Sequence, residues 1–281
     1  MRSIKSAFIA SLVVTFSAVF IFFLLSLLPL SNNSNEAKEK TQDSQMYRRM
    51  NLNFVAIGDS LTQGTGDGTY RGGYIPIVAS RLEESGNIEK VYTSNFGKKG
   101  DELQDLLEKK QTQEEMQTKI TQADIVSVTI GGNDLVAAFR KSNLKGTEAE
   151  YAEVIKKFSR NLEQLIVELK VMNEDAQLYV YGLYNPYYFY FSDIQPMQNI
   201  VNSWNEETAR VIEEHEQVTF VPIDNLINGV ELPTDSTEEE FVHPYLYTED
   251  LFHPNEHGYQ LMADALYEAI IANNPEFIET E

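Results

Sequence analysis

Ser60 is the first residue of this sequence whose type and setting suggest chemistry. It follows a glycine and an aspartate in AIGDSLTQGTG, directly after an apolar run. A serine hydroxyl is a weak nucleophile and needs an adjacent general base. Without one, Asp59 or Ser60 simply caps the helix that follows, a common role for both residue types. The motif predicts nucleophilic catalysis only if other segments supply a base, an acid and oxyanion donors.

The base must come from one of the histidines, which are His215, His243, His253 and His257. His253 has Asp250 three residues earlier, in DLFHPN. A carboxylate at that spacing can bind the imidazole Nδ1–H, fix its tautomer and stabilise the imidazolium. His243, in FVHPYLY, is the main rival, and the spacing of His253 and His257 also fits a metal site. We favour His253 as the base and expect no metal, since no HExxH motif is present.

Glycine-rich turns after two further apolar runs offer oxyanion donors. In SNFGKKGDE, either Gly97 or Gly100 can bring a backbone N–H close to a ligand. In TIGGNDL, two glycines let the backbone turn and place the amide of Asn133 over the site. Such donors stabilise the tetrahedral intermediate of acyl transfer. Taken singly, each stretch is also typical of an ordinary turn.

Apolar runs that alternate with amphipathic stretches must position these residues. Strands are predicted in NFVAIG, KVYTSNFG, ADIVSVTIGGND, AQLYVYGLYNP and VTFVPID. Helices are predicted in GYIPIVASRLEESG, DELQDLLEKK, TEAEYAEVIKKFSRNLEQLIVELKVMN, IVNSWNEETARVIEEH and NEHGYQLMADALYEAIIAN. This alternation predicts an α/β fold with a parallel sheet of about five strands, covered on both faces. Ligands in such sheets bind at the carboxyl ends of strands.

In this order, GDSLTQG, NFGKKG, GGND and DLFHPN resemble the four sequence blocks of the GDSL-type SGNH hydrolases. The chain is most similar to the bacterial lipase/acylhydrolases related to lysophospholipase L1, over about residues 51–275. The resemblance implies a flavodoxin-like three-layer αβα sandwich and no cofactor. It matches Ser60 with the nucleophile, and Asp250 and His253 with the acid and base. The Ser60 amide, the Gly100 amide and the Asn133 side chain match the oxyanion donors.

Two positions depart from the family pattern. Glu102 stands where a small hydroxyl residue is common, and Leu251-Phe252 replaces a more usual Gly-Ile-like pair. We expect the substrate to be a fatty acyl ester or a lysophospholipid. The alternative is an O-acetyl ester on a cell-wall or surface polysaccharide. The aromatic residues of segment 184–191 could line an acyl pocket, touch a bilayer or pack inside the protein.

The N-terminal segment has the composition of a membrane anchor. Residues 7–30 carry no charge and are numerous enough to span a bilayer. Arg2 and Lys5 favour a cytoplasmic N-terminus. We expect a cytoplasmic tail (1–6), an uncleaved signal anchor (7–30), a flexible linker (31–50) and an extracytoplasmic hydrolase domain (51–281). A long cleaved signal peptide is the alternative, and it too exports the domain.

Charge and composition exclude other classes of protein. With 43 acidic and 22 basic residues, the chain has a net charge of −21 and would repel nucleic acid. It has no cysteine, which excludes disulfides, thiolate zinc sites and a cysteine nucleophile. Residues 64–73, GTGDGTYRGG, offer a weak phosphate-loop alternative that lacks the Walker lysine. A membrane-tethered binding domain without catalysis is the remaining alternative.

Overall fold

Five parallel strands form a single sheet in the computed structural model, which describes residues 50–142, 146–188, 195–230 and 242–278. The strands are Met50–Gly58 (β1), Ile88–Gly97 (β2), Ile125–Thr129 (β3), Gln177–Tyr181 (β4) and Val218–Val221 (β5). Their order across the sheet is β2-β1-β3-β4-β5, and every neighbouring pair is parallel. Each strand coincides with one of the predicted apolar runs, although β1 and β2 begin before the predicted runs at residues 53 and 90. The predicted parallel α/β fold is confirmed.

The helices of the described residues alternate with these strands. They are Ser60–Gln63 (α1), Tyr74–Glu84 (α2), Leu103–Thr112 (α3), Glu114–Ile120 (α4), Gly132–Ser142 (α5), Glu148–Met172 (α6), Gln195–Glu213 (α7), Asp224–Asn228 (α8) and Glu256–Asn273 (α9). The sequence predicts α2, α3, α6, α7 and α9. It does not predict α1, α4, α5 and α8 as separate helices.

Two apolar cores lie on opposite faces of the sheet, because side chains alternate along each strand. From β1, Val55 and Ile57 pack in a core with residues of α3, α4, α5, α6 and α7. Phe54 and Ala56 pack in the other core with residues of α2, α8 and α9. The central strand β3 is buried along its whole length, as expected of a strand covered on both sides. The result is a three-layer αβα sandwich.

The carboxyl ends of the three strands nearest the site are aligned. Gly58 at the end of β1 is in register with Gly97 of β2 and with Thr129 of β3. Gly58 has φ +144°, and a Cβ there would lie 2.1 Å from the Thr129 carbonyl oxygen, so glycine is required. The loops that follow these strands therefore leave the same edge of the sheet together.

The predicted tail, anchor and linker lie outside the described residues, apart from Met50, where β1 begins. Within the part of the chain that is described, no helix combines the length and apolar character needed to cross a bilayer.

Candidate active site

The turn after β1 assigns different roles to Asp59 and Ser60. Asp59 is the N-cap of α1, where its Oδ1 accepts a hydrogen bond from the Leu61 amide at 3.0 Å. Ser60 is the first residue of α1, and its hydroxyl oxygen lies 2.9 Å from His253 Nε2. The capping role therefore falls to Asp59, and the Ser60 hydroxyl is paired with an imidazole.

His253 lies between Ser60 and Asp250. Its Nδ1 is 2.6 Å from Asp250 Oδ2, while its Nε2 faces the Ser60 hydroxyl. Ser60 and His253 are each only 5% exposed. Since a carboxylate only accepts hydrogen bonds, the network assigns the imidazole proton to Nδ1 and leaves Nε2 to accept from Ser60. This is the geometry in which an imidazole can take a proton from a serine hydroxyl.

A tight turn holds the Asp250 carboxylate against His253. Asp250 Oδ1 accepts from the amides of Phe252 and His253, each at 3.0 Å. Partial burial alone would raise the pKa of Asp250, but the hydrogen bonds from His253 and from the two amides outweigh it and lower the pKa. The carboxylate is therefore charged at neutral pH. Its contribution to stability is present above the ordinary pKa of an aspartate and is lost as the pH falls through the lowered value.

The other histidines lie away from this arrangement. His243 is 2% exposed, its Nδ1 accepts from the Tyr245 amide at 3.1 Å, and burial lowers its pKa to about 4. His215 follows the end of α7, and His257 is exposed on α9, 3.8 Å from Glu256. His253 is the histidine that the fold brings to Ser60. In the described ranges, no three His, Asp or Glu side chains form a group suited to a metal ion.

Asn133 is positioned by the loop after β2. It is the second residue of α5, and its Nδ2 donates to the Asp101 carbonyl oxygen at 2.8 Å. A carboxamide carries two N–H donors, so the second remains available for a ligand. Both Asn133 and Ser60 line the same pocket. The next residue of α5, Asp134, accepts from the Leu103 amide at 3.1 Å and ties the start of α3 to α5.

The two glycines of the β2 loop have different surroundings. A Cβ at Gly97 would lie 2.3 Å from the Gln63 amide nitrogen, so this glycine is packed against α1. Gly100 has φ +90°, and a Cβ there would meet nothing within 4 Å. Gly100 also directly precedes Asp101, whose carbonyl holds Asn133. Gly100 therefore has open space beside it, whereas Gly97 is enclosed by α1.

An apolar pocket opens beside Ser60. Its apolar walls come from α5, from α7 and from the turn before His253, and include Val136, Phe139, Met197, Val201 and Phe252. Tyr184 and Tyr187 from the aromatic segment also line it, whereas Tyr188 is 45% exposed. Residues 189–191 of that segment lie outside the described residues.

A buried polar network lies beneath Ser60 and was not predicted from the sequence. Thr129 Oγ1 donates to Asp59 at 2.8 Å and lies 2.7 Å from Thr62 Oγ1. The network continues from Thr62 to the Tyr74 hydroxyl at 3.1 Å, and from there to Ser127 at 2.9 Å. Ser127 and Thr129 occupy alternate positions of an apolar strand, so they share one face of the sheet. This alternation of polar residues in the sequence of β3 could have predicted the network.

Burial raises the pKa of Asp59 to about 6, against hydrogen bonds from Leu61 and Thr129 that lower it. The folded protein therefore binds this proton more tightly than the unfolded chain does. The resulting contribution to stability is fully present below about pH 3.8 and is lost as the pH rises through about 6.

Comparisons with known proteins place the chain in a family. Residues 54–266 match the family model described as GDSL-like Lipase/Acylhydrolase. The chain is 31% identical over 250 residues to the uncharacterized protein YpmR of Bacillus subtilis (strain 168), covering 89% of this chain and 92% of that protein. The chain therefore belongs to the GDSL-like lipase/acylhydrolase family, a family of ester hydrolases.

Further similarities agree with the family and with the fold. The spore germination lipase LipC of Bacillus licheniformis is 25% identical over 221 residues, with 77% of this chain and 95% of that protein covered. Among solved structures, the lipase Lip_vut3 from a goat rumen metagenome has a TM-score of 0.64 at 23% identity and covers 78% of this chain and 97% of its own. The acetylxylan esterase Axe2 of Geobacillus stearothermophilus has a TM-score of 0.59 at 19% identity, with 83% and 100% covered.

Proposed function

We propose that the protein hydrolyses carboxylic esters through an acyl-enzyme formed on Ser60. The observation that carries this proposal is the continuous contact from Ser60 Oγ to His253 Nε2 at 2.9 Å and from His253 Nδ1 to Asp250 at 2.6 Å. Membership of the family supplies the reaction class. The acetylxylan esterase Axe2 lends support, because alanine variants of a serine, a histidine and an aspartate of that protein are catalytic mutants.

The geometry supports a two-step reaction. Ser60 Oγ attacks the ester carbonyl while His253 Nε2 takes the hydroxyl proton, and Asp250 stabilises the imidazolium. His253 then gives that proton to the departing alkoxide, which leaves as an alcohol. In the second step His253 takes a proton from water, the hydroxide adds to the acyl carbonyl, and the proton returns to Ser60 as the carboxylic acid is released.

The oxyanion formed in both steps needs hydrogen-bond donors. We assign this role to the Ser60 amide, the Gly100 amide and the free N–H of the Asn133 side chain. The first amides of a helix have no acceptor within that helix, which leaves the Ser60 amide at the start of α1 open to a ligand. The bond from Asn133 to Asp101 fixes the carboxamide and the Gly100 loop relative to one another.

The pocket favours an acyl chain as the group next to the scissile carbonyl. Its walls of Val136, Phe139, Met197, Val201 and Phe252 offer little to a polar ligand and much contact to methylene groups. We propose fatty acyl esters, lysophospholipids among them, as the substrate class. The similarity to a spore germination lipase agrees with this choice. O-acetyl esters of a polysaccharide are the alternative.

A chain-length series separates these substrates. The full chain, purified in a mild detergent, is assayed with p-nitrophenyl esters from acetate to palmitate. An acyl pocket predicts that kcat/KM rises with chain length beyond acetate, whereas a preference for acetate supports the O-acetyl alternative. Ser60→Ala is expected to abolish hydrolysis of every ester without changing the thermal unfolding midpoint, and normal turnover by this variant would refute the proposal.

We also propose that residues 7–30 anchor the protein in the cell membrane with residues 51–281 outside the cytoplasm. Support comes from the uncharged length of the run and from Arg2 and Lys5 before it. Extraction of isolated membranes with sodium carbonate tests this arrangement, since an integral protein stays in the pellet. Release into the medium of a shortened chain would indicate a cleaved signal peptide instead.

A further inference from the structure

The aromatic segment after β4 contacts residues 250–253, the histidine turn. The two-step reaction does not account for this contact. The Tyr184 hydroxyl donates to the Phe252 carbonyl oxygen at 2.6 Å. Phe252 directly precedes His253, and its own amide donates to Asp250. The hydrogen bond therefore joins the wall of the pocket to the turn that carries the proposed acid and base, across 68 positions of the sequence.

We infer that Tyr184 is a positioning residue that holds His253 in line with Ser60 through the Phe252 peptide. The inference rests on the proposed function, because it concerns the efficiency of that same site. The tyrosine needs no contact with the reacting atoms for this role. It acts by restricting the turn from which the imidazole projects.

The turn that carries His253 contains a residue in an unfavourable backbone conformation. Leu251, at its centre, has φ +50°, a conformation that costs a residue with a Cβ about 1–2 kcal/mol. Local preference therefore does not hold Asp250 and His253 at their observed separation. The turn's own hydrogen bonds offset part of this cost: the amides of Phe252 and His253 donate to Asp250, and the Tyr247 amide donates to the His253 carbonyl oxygen at 2.8 Å. The Tyr184 hydroxyl adds an anchor from a rigid part of the fold, immediately after the sheet.

The Tyr184 hydroxyl is suited to act as a permanent donor. Its residue is 8% exposed, and burial raises the pKa of Tyr184 well above its ordinary value. The group therefore stays protonated over the working range of an esterase. The Phe252 ring is packed at the same time, with its centre 6.2 Å from the Tyr187 ring and 5.1 Å from the His253 ring. The wall of the pocket is therefore packed directly against the histidine turn.

Tyr181 provides a matched control. Its buried hydroxyl donates to the Met262 carbonyl oxygen of α9 at 2.9 Å, so Tyr181→Phe removes the same kind of bond as Tyr184→Phe. The Met262 carbonyl lies in a helix and has no part in the histidine turn. The two variants lose similar hydrogen-bond energy, and only one of them loosens His253.

The test compares both variants with the wild-type full chain in detergent, using ester hydrolysis and the rate of labelling by a fluorophosphonate probe. Loss of one hydrogen bond at the turn predicts that Tyr184→Phe lowers kcat about 3- to 10-fold, with KM changed less than twofold. Labelling should slow by the same factor, because it reports the reactivity of Ser60. Tyr181→Phe should leave both rates within twofold, at a similar thermal midpoint.

Each alternative outcome has a distinct meaning. Equal rates for the two variants, or a Tyr184→Phe effect confined to KM, would overturn the positioning role while leaving ester hydrolysis in place. A wild-type protein that neither hydrolyses esters nor takes the label would instead refute the proposed function. Should Tyr184→Phe fold poorly, amide hydrogen exchange of residues 250–253 at low temperature gives the same comparison, with faster exchange expected only in that variant.

Discussion

Replacing Asp250 by asparagine should separate its role in catalysis from its role in the turn. The carboxylate accepts three hydrogen bonds, one from the His253 ring at 2.6 Å and two from the amides of Phe252 and His253 at 3.0 Å. An asparagine oxygen can still accept from both amides. Its nitrogen, however, is a donor and cannot accept from His253 Nδ1–H.

The imidazole is therefore expected to change tautomer. With the proton on Nε2, His253 would donate to the Ser60 hydroxyl and could not take its proton. In serine proteases the same exchange lowers kcat about 10⁴-fold, and we expect a loss of that order. Because the two backbone hydrogen bonds survive, the free energy of unfolding should change by less than about 1 kcal/mol, whereas Asp250→Ala should cost about 1–3 kcal/mol.

The assay is hydrolysis of p-nitrophenyl butyrate by the full chain, together with thermal unfolding. Asp264→Asn is the control, because Asp264 pairs with Arg81 on the surface of α9 and has no contact with the histidine turn. This control should keep wild-type kcat. If Asp250→Asn retains more than a tenth of wild-type kcat, the carboxylate does not set the tautomer, and the reasoning is wrong.

Three further predictions concern other parts of the site. Asn133→Ala should lower kcat about 10²- to 10³-fold with a small change in KM, measured with the same ester, if its side chain binds the oxyanion. Asp59→Asn should leave the free energy of unfolding unchanged near pH 4 but raise it by up to about 3 kcal/mol at pH 8. The reason is that burial raises the pKa of Asp59 from 3.8 to about 6, so the buried carboxylate is charged only at the higher pH. Urea titrations at both pH values check this. Leu251→Gly should raise the free energy of unfolding by about 0.5–1 kcal/mol by relieving the positive φ, which thermal and urea unfolding would measure.

The sequence predicted best the features that depend on residues close together in the chain. Apolar runs predicted all five strands, because strands buried on both faces are almost continuously apolar. The spacing of Asp250 and His253 predicted their contact, because a single turn brings them together. The conformation at Leu251, φ +50°, is one that glycine adopts with less strain than a residue with a Cβ.

The features that the sequence did not predict depend on contacts between residues far apart in the chain. Gly97 and Gly100 are equivalent as residue types, but Gly97 packs against α1 whereas Gly100, with φ +90°, has open space where a Cβ would lie. Helix α5 was missed because two glycines at its start favour a turn, whereas Leu135 and Phe139 bury one face and stabilise the helix. The bond between Tyr184 and Phe252 joins residues 68 positions apart and leaves no pattern in either segment.

The central claim is that Ser60 is an activated nucleophile. Mass spectrometry of the full chain after reaction with a fluorophosphonate tests it most directly. We expect one adduct per chain, located on the peptide that contains Ser60, absent from Ser60→Ala and formed far more slowly in His253→Ala. An unlabelled but folded wild-type protein, or an adduct that persists in Ser60→Ala, would contradict the claim.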